Sequence, residues 1–264
     1  MNNLFDLKGR IAIVTGGAGL LASEHAMALG NYGASIVLAD VNLEKCDEAA
    51  AKLSLNNINV VSKYCEVTSS DSWKKLLEKV LDEFGKIDVL VNNAGFTNQN
   101  RSANFDASFE NFPLEDWNAI MNVNLTGTFL GCQVIGKQML EQGKGSIINM
   151  ASLYGVVSPN HRIYPGTGIT QPVAYSVSKH GVIGLTKYLA TLWADKGVRV
   201  NALTPGGIYN NHQQLFLERF QQLNPIGQMS DKSELQGAIV YLASDASSHV
   251  VGHNLIVDGG WTAW

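Results

Sequence analysis

Arg10-Ile-Ala-Ile-Val-Thr-Gly-Gly-Ala-Gly-Leu-Leu-Ala22 joins a short apolar, β-branched run to a glycine-rich turn and then to helix-forming residues. A continuous apolar run suits a strand buried on both faces, as in a parallel sheet. The turn needs glycine, because side chains would keep the backbone away from a pyrophosphate. The start of the following helix then offers free N–H groups and a positive dipole end to the same anion. A glycine cluster alone also serves as a plain tight turn. Its place on the first strand–helix junction gives the dinucleotide reading its weight, with Gly16, Gly19, Leu20 and Leu21 nearest the anion.

Six further runs repeat the strand pattern. They are Ser35-Ile-Val-Leu-Ala39, one beginning at Asn59-Val-Val61, Ile87-Asp-Val-Leu-Val91, Ser146-Ile-Ile-Asn-Met150, Val198-Arg-Val-Asn-Ala202 and Asn254-Leu-Ile-Val257. Helical stretches fill the gaps at about 20–31, 43–55, 71–84, 115–142, 172–196 and 232–243. The alternation predicts an α/β fold: a doubly wound, mostly parallel seven-stranded sheet with helices on both faces. No linker, repeat or low-complexity segment divides the chain, so residues 1–264 read as one domain. Stretches at about 153–172 and 205–230 fit no regular element, and loops that long are usually functional or mobile.

Composition narrows the function further. The chain is 45% hydrophobic and 16% charged, enough apolar material for one sizeable core. A net charge of −4 leaves no basic surplus for a nucleic-acid partner. The sequence has neither an apolar run of about 18 residues nor a signal-peptide core, so no membrane partner is expected. Cys46, Cys65 and Cys132 are odd in number, far apart and without metal-ligand spacing, which points to a reduced cytoplasmic setting.

Asp40 ends the second run, about 20 residues past the glycine turn, where a carboxylate can accept hydrogen bonds from both hydroxyls of an adenosine ribose. It would repel a 2′-phosphate, and neither the turn nor the residues just after Asp40 supply a cation to offset that. NAD(H) is therefore expected over NADP(H). The alternative role for Asp40 is to cap the helix from about Leu43, which Asn42 can do equally well.

Val173-Ala-Tyr-Ser-Val-Ser-Lys-His180 places Tyr175 and Lys179 one turn apart on one helix face. A free phenol ionises near 10, too high for a base at neutral pH. Bringing it near neutrality takes roughly 4 kcal/mol of differential stabilisation. A close ammonium in a partly desolvated cleft supplies much of that, and the positive charge of an oxidised nicotinamide supplies more. Such a tyrosine can give a proton to a carbonyl oxygen or take one from an alcohol. Pairs at this spacing are common on solvated helix faces, so the company they keep decides. Ser152 follows the fifth run, Asn92-Asn-Ala-Gly95 the fourth and Pro205-Gly-Gly-Ile208 the sixth, all at the sheet edge where open α/β folds bind ligands.

Taken in order, these landmarks resemble the short-chain dehydrogenase/reductases, in their single-domain branch. The set runs from the glycine turn through Asp40, Asn92-Asn-Ala-Gly95, Asn124, Ser152, Tyr175/Lys179 and Pro205-Gly-Gly207 to Val257-Asp-Gly-Gly260, nearly the whole chain. The resemblance implies a Rossmann fold and a nicotinamide cofactor. It implies Tyr175 as acid/base, with Lys179 lowering its pKa and binding the nicotinamide ribose. Ser152 would orient the reacting oxygen, and Asn124 would hold a water in a proton relay with Lys179. Asp40 and Val41 would border the adenosine ribose, and Glu66, Val67, Asn93, Ala94 and Gly95 would lie along the adenosine side. Pro205, Gly206, Gly207 and Ile208 would border the nicotinamide.

Two departures stand out. The branch usually reads T-G-x-x-x-G-x-G, whereas Thr15–Ala22 reads T-G-x-x-G-x-x-A, which changes the expected pyrophosphate geometry. Ser152 and Tyr175 are also separated by an extra segment, Ser158–Pro172, expected to form a rim over the substrate pocket while leaving the catalytic pair in place.

The rim residues read as polar. Tyr154, His161, Arg162, Tyr164, Thr167 and Gln171 lie in one loop, and Tyr209, Asn210, Asn211, His212 and Gln213 in the other. They favour a hydroxyl-rich small molecule such as a sugar or nucleotide-linked sugar, with Tyr154, Arg162, Tyr164 and Asn210 as contacts; solvated loop residues are the alternative. His161 and His212 lack a third partner at metal-site spacing, so no metal is expected. The insertion, Ser152-Leu-Tyr-Gly155 and Asp258-Gly-Gly-Trp-Thr-Ala-Trp264 resemble enzymes of bacterial surface-polysaccharide biosynthesis, including legionaminic-acid pathways. The family resemblance implies a tetramer or dimer. The long helices 115–142 and 172–196 would pair between subunits, and Trp261 and Trp264 would seal another interface; alternatively the helices only cover their own sheet. A non-enzymatic NAD-binding scaffold or sensor, and a fatty-acid-type ketoreductase, are the competing readings. The complete Asn124/Ser152/Tyr175/Lys179 set weighs against the first. Asp40 and the acidic balance weigh against the second.

Overall fold

The computed structural model describes residues 3–96 and 102–264. Seven strands form one parallel sheet: β1 (Ile11–Thr15), β2 (Ser35–Asp40), β3 (Val60–Tyr64), β4 (Val89–Asn92), β5 (Gly145–Met150), β6 (Val198–Pro205) and β7 (Asn254–Val257). Their order is β3-β2-β1-β4-β5-β6-β7. The chain winds outward from β1 to β3, then returns to β4 on the other side of β1. The topological switch point therefore lies between β1 and β4, and open sheets of this kind bind ligands there, beyond the carboxyl ends of the strands.

Successive strand residues face opposite sides of the sheet. Ala12, Val14, Ile36 and Leu38 pack into one core, with Ala22, Ala26 and Leu29 of α1 (Leu20–Asn31), Leu53 of α2 (Leu43–Ser54) and Ile239 of α8 (Gln236–Ala243). Ile11, Ile13, Val37 and Ala39 pack into the other. Their partners are Trp73 and Leu76 of α3 (Ser70–Phe84), Ile135 of α5 (Gly127–Gln142) and Leu189 of α6 (Val173–Trp193). Both faces of the inner strands are buried, which is why those strands read as unbroken apolar runs.

Three features differ from expectation. The helix expected over 115–142 is three pieces: α4 (Leu114–Met121), a π-helical turn at Asn122–Thr126, and α5. Such a turn inserts extra backbone into a helix and is frequent at functional sites. Within 205–230, Gln214–Leu223 forms a regular helix, α7, which buries Phe216 and Phe220. Trp261 does not face outward: it is buried and stacks on Phe220, ring centroids 4.4 Å apart. Trp264 is exposed. The three cysteines are free and buried, and burial above all pushes each thiol up to about 12.

Candidate active site

The glycine turn after β1 has little room for side chains. Gly16 has φ +66°, and a Cβ there would lie 2.9 Å from the Ala94 Cα. A Cβ on Gly17 would lie 2.8 Å from the Cys46 Sγ, and one on Gly19 2.9 Å from the Gly16 carbonyl oxygen. Gly19 is the N-cap of α1 and has no side chain to cap it, so the first-turn amides at Leu20 and Leu21 have no side-chain acceptor from the cap. Ala22, in the place of a further glycine, is fully buried, so its methyl is accommodated in the core. The neighbouring strand end is tied to the turn. The amides of Asn93 and Ala94 each donate to the Thr15 Oγ1 at 3.0 Å, and the Asn93 side chain donates to the Thr15 carbonyl at 2.9 Å.

Asp40 ends β2 beside this turn. One carboxylate oxygen accepts from the Ala18 amide at 3.0 Å and the other from the Asn42 amide at 2.9 Å. Asn42, not Asp40, caps α2, accepting from the Lys45 amide at 3.0 Å. Val41 is exposed next to it. Glu66 turns back on its own loop, its carboxylate accepting from the Thr68 amide and hydroxyl, while Val67 packs beside Gly127.

The catalytic candidates converge at the ends of β4 and β5. Ser152 follows β5 in extended conformation, and its hydroxyl accepts from the Tyr154 amide at 3.2 Å. Lys179 is buried and donates to the Met150 carbonyl at 2.7 Å, with its Nζ 5.8 Å from the centre of the Tyr175 ring. Burial alone lowers the ammonium to about 8. Burial also pushes the Tyr175 phenol up, and the Ser152 side chain pulls the other way without reversing it. The lowered phenol expected from Lys179 is thus not what the protein alone shows: burial outweighs the Ser152 hydrogen bond and leaves the phenol raised. Asn124 sits in the π-helical turn, buried. It accepts from the Phe96 amide at 2.7 Å and donates to the Ser178 hydroxyl at 3.1 Å, binding the segment after β4 to α6.

Beyond β6, the Gly206 amide donates to the Val257 carbonyl and the Ser230 amide to the Gly207 carbonyl. Ile208 bridges to Ser230. A Cβ on Gly206 would lie 2.6 Å from the Asp258 Cα, so Pro205–Ile208 is held close to the C-terminal segment.

The rim is less polar than expected. Tyr154, Ile163, Phe216, Phe220 and Trp261 form a buried aromatic cluster, and Tyr164 and Tyr175 pack against it. The Tyr154 and Tyr164 hydroxyls hydrogen-bond to each other. Arg219 of α7 donates to the Ile163 carbonyl at 3.2 Å and to the Pro165 carbonyl at 2.5 Å, which ties α7 to the insertion. Thr167 is buried inside its own loop, whereas Arg162 and Asn210 are exposed.

A family model described as enoyl-(acyl carrier protein) reductase matches residues 18–262. The chain is 37% identical to a D-threitol dehydrogenase of Mycolicibacterium smegmatis, over 98% of this chain and 95% of that one. It is 34% identical to a 3-oxoacyl-[acyl-carrier-protein] reductase of Thermotoga maritima, over 96% and 98%. The structure superposes on a gluconate 5-dehydrogenase from Burkholderia cenocepacia, in complex with NADP and tartrate. The TM-score is 0.86 and the identity 30%, over 99% of this chain and 98% of that one. The chain belongs to the short-chain dehydrogenase/reductase family.

As a short-chain dehydrogenase/reductase it is an oxidoreductase, and its own residues fit a nicotinamide cofactor. The turn is a cradle that Cβ atoms would fill, the N-terminus of α1 faces it without a side-chain cap, and Asp40 stands beside it. The sequence did not reveal the apolar surroundings of Tyr175: it packs against one cluster with Phe96, Phe105 and Phe112 and against another with Phe216 and Trp261. The period of Phe216, Phe220 and Leu223 was a legible helix signal inside a stretch read as loop. Among the described residues, no helix is long and apolar enough to cross a membrane, and no group of three or more His, Cys, Asp or Glu could hold a metal ion.

Proposed function

We propose that the chain interconverts an alcohol and a carbonyl on a polyol or sugar-like substrate, with NAD(H) as its cofactor. One observation carries the reading: Ser152, Tyr175 and Lys179 come together beyond the carboxyl end of β5, at the same sheet edge as the glycine turn and Asp40. A bound nicotinamide would supply the hydride chemistry. Tyr175 holds the proton at its phenol oxygen and exchanges it with the substrate oxygen, which the Ser152 hydroxyl orients. Lys179 keeps a positive charge beside that phenol and binds the nicotinamide ribose, and Asn124 holds a water that reaches Lys179. Gly16, Gly19 and the first-turn amides at Leu20 and Leu21 receive the pyrophosphate. Asp40 receives the adenosine ribose, and its charge supports NAD(H). Val41, Glu66, Val67 and Asn93–Gly95 flank the adenosine, and Pro205–Ile208 flanks the nicotinamide.

Relatives whose names specify threitol and gluconate support a hydroxyl-rich substrate. They favour a free polyol or sugar acid over a surface-polysaccharide precursor. The exposed Phe129, Val177, Tyr188 and Leu192 on α5 and α6 support pairing of subunits, and three buried free thiols support a reduced, cytoplasmic setting.

The test is Tyr175→Phe, assayed for NAD-linked turnover over a panel of polyols and sugar acids, with NADH binding measured in parallel. Turnover should fall by at least about 100-fold while binding is kept. Undiminished turnover would refute the assignment.

A further inference from the structure

The aromatic cluster beside Tyr175 contains two hydroxyls that the acid/base reading does not use. Tyr154 follows Ser152 by two residues and is 7% exposed. Tyr164 comes from the insertion, packs on Phe216 with ring centroids 5.9 Å apart, and is fixed from below by the clasp of Arg219 on Ile163 and Pro165. The two phenols meet hydroxyl to hydroxyl, and among the described residues neither hydroxyl has another partner. In a pair of hydroxyls, one donates and the other accepts. The accepting phenol keeps a free O–H, and the donating phenol keeps a free lone pair. Together they offer one donor and one acceptor, the complement of a single alcohol group. Burial pushes both phenols above their ordinary range, so they stay neutral and keep their protons, and each interacts electrostatically with Tyr175. The rest of this wall, Ile163, Phe216, Phe220 and Trp261, has no hydroxyl.

We propose that Tyr154 and Tyr164 form a recognition pair for a second hydroxyl, carried on the carbon next to the reacting carbinol, so that the enzyme selects vicinal diols and 2-hydroxyketones. This rests on the alcohol–carbonyl reading above. Buried polar groups built to meet a substrate hydroxyl reject the analogue that lacks it, because they are left unpaired.

The probes are butane-2,3-diol and butan-2-ol, which differ by one hydroxyl. Wild-type protein, Tyr164→Phe, Tyr154→Phe and the double variant are compared by kcat/KM with NAD, and by the rise in Tm at equal alcohol concentration. Phenylalanine keeps the ring packing, and the double variant avoids leaving one phenol buried without its partner. The variants should lose roughly 10- to 100-fold in kcat/KM on the diol and change less than about 2-fold on butan-2-ol. The diol should raise the Tm of the wild type more than butan-2-ol does, a difference the double variant loses. Equal loss on both alcohols, or no loss on the diol, overturns the proposal and leaves the pair a mere latch on the insertion. If neither alcohol is turned over, the dehydrogenase reading fails, while a Tm difference that depends on both tyrosines still supports the recognition pair. Equal Tm shifts in that case overturn it as well.

Discussion

The Asp40 carboxylate accepts a hydrogen bond from the Ala18 amide at 3.0 Å, joining the end of β2 to the glycine turn after β1. The residue proposed to select the cofactor therefore also shapes the glycine turn. Asp40→Ser combined with Val41→Arg removes the repulsion of a 2′-phosphate and supplies a cation for it. The ratio of kcat/KM for NADP over NAD should rise by 10-fold or more, because like-charge juxtaposition costs several kcal/mol. Loss of the Ala18 contact should also lower stability by about 1 kcal/mol. An unchanged ratio, read from initial rates with both cofactors, would undo the assignment of Asp40.

The charge proposed for Lys179 sits in an unfavourable place. Burial lowers its ammonium from 10.5 to about 8, so at pH 7 the protein keeps a buried charge at an expense on the order of 3 kcal/mol. Below about pH 8 the side chain is protonated in both folded and unfolded chains, and that expense is fully present. Between about 8 and 10.5 only the unfolded chain holds the proton, so rising pH relieves it. Lys179→Met should therefore lose activity at least about 100-fold while keeping or raising its Tm at pH 7. Any gain should shrink toward pH 10. The lost bond to the Met150 carbonyl offsets part of it. A Tm well below wild type at pH 7 would contradict this balance.

The strands and most helices were legible because the parallel sheet is buried on both sides, so its strands show as apolar runs such as Ile11–Val14 and Ser35–Ala39. Tyr175, Lys179, Ser152 and Asp40 were legible because each stands at the end of a strand or the start of a helix whose position those runs mark. The π-helical turn was not. Asn122–Thr126 carries no breaker, and the Asn124 contacts with Phe96 and Ser178 that accompany the turn come from distant stretches. The meeting of Tyr154 with Tyr164 was likewise hidden. Both residues stand out in the sequence, but their contact depends on α7 holding the insertion down. The apolar lining was missed for a different reason: Phe105, Phe216 and Trp261 come from three distant stretches that only the fold brings around Tyr175.

His25 of α1 is fully buried, and neither ring nitrogen has a hydrogen-bond partner among the described residues. Burial lowers it from 6.5 to about 4, with the Glu24 charge opposing. Above about pH 6.5 the ring is neutral whether the chain is folded or not, so its titration adds no pH dependence to stability there. As pH falls from 6.5 toward 4, the unfolded chain takes up a proton that the folded chain refuses, and stability drops by up to roughly 3 kcal/mol. His25→Leu should flatten that part of the Tm–pH curve and match or exceed wild-type stability at pH 7. A variant that loses stability in parallel with wild type between pH 6.5 and 4 would exclude His25 as the cause.

Arg219 tests whether the insertion and α7 act together. Its guanidinium donates to the carbonyls of Ile163 and Pro165, which flank Tyr164, and α7 carries the Phe216 ring on which Tyr164 rests. Arg219→Ala removes both charge-assisted bonds and leaves Phe216 in place, so the insertion should detach first while the sheet and the Lys179–Tyr175 pair are undisturbed. Global stability should fall by only about 1–2 kcal/mol. KM for the alcohol should rise several-fold, with a smaller fall in kcat, because the substrate wall loosens while the proton-handling residues stay. Limited proteolysis should newly cut the variant within 158–170, and saturating NADH should not suppress the cut, since the cofactor residues lie on other loops. A fall in kcat with KM unchanged would show instead that Arg219 supports the catalytic residues themselves, and that the insertion stays in place without its clasp.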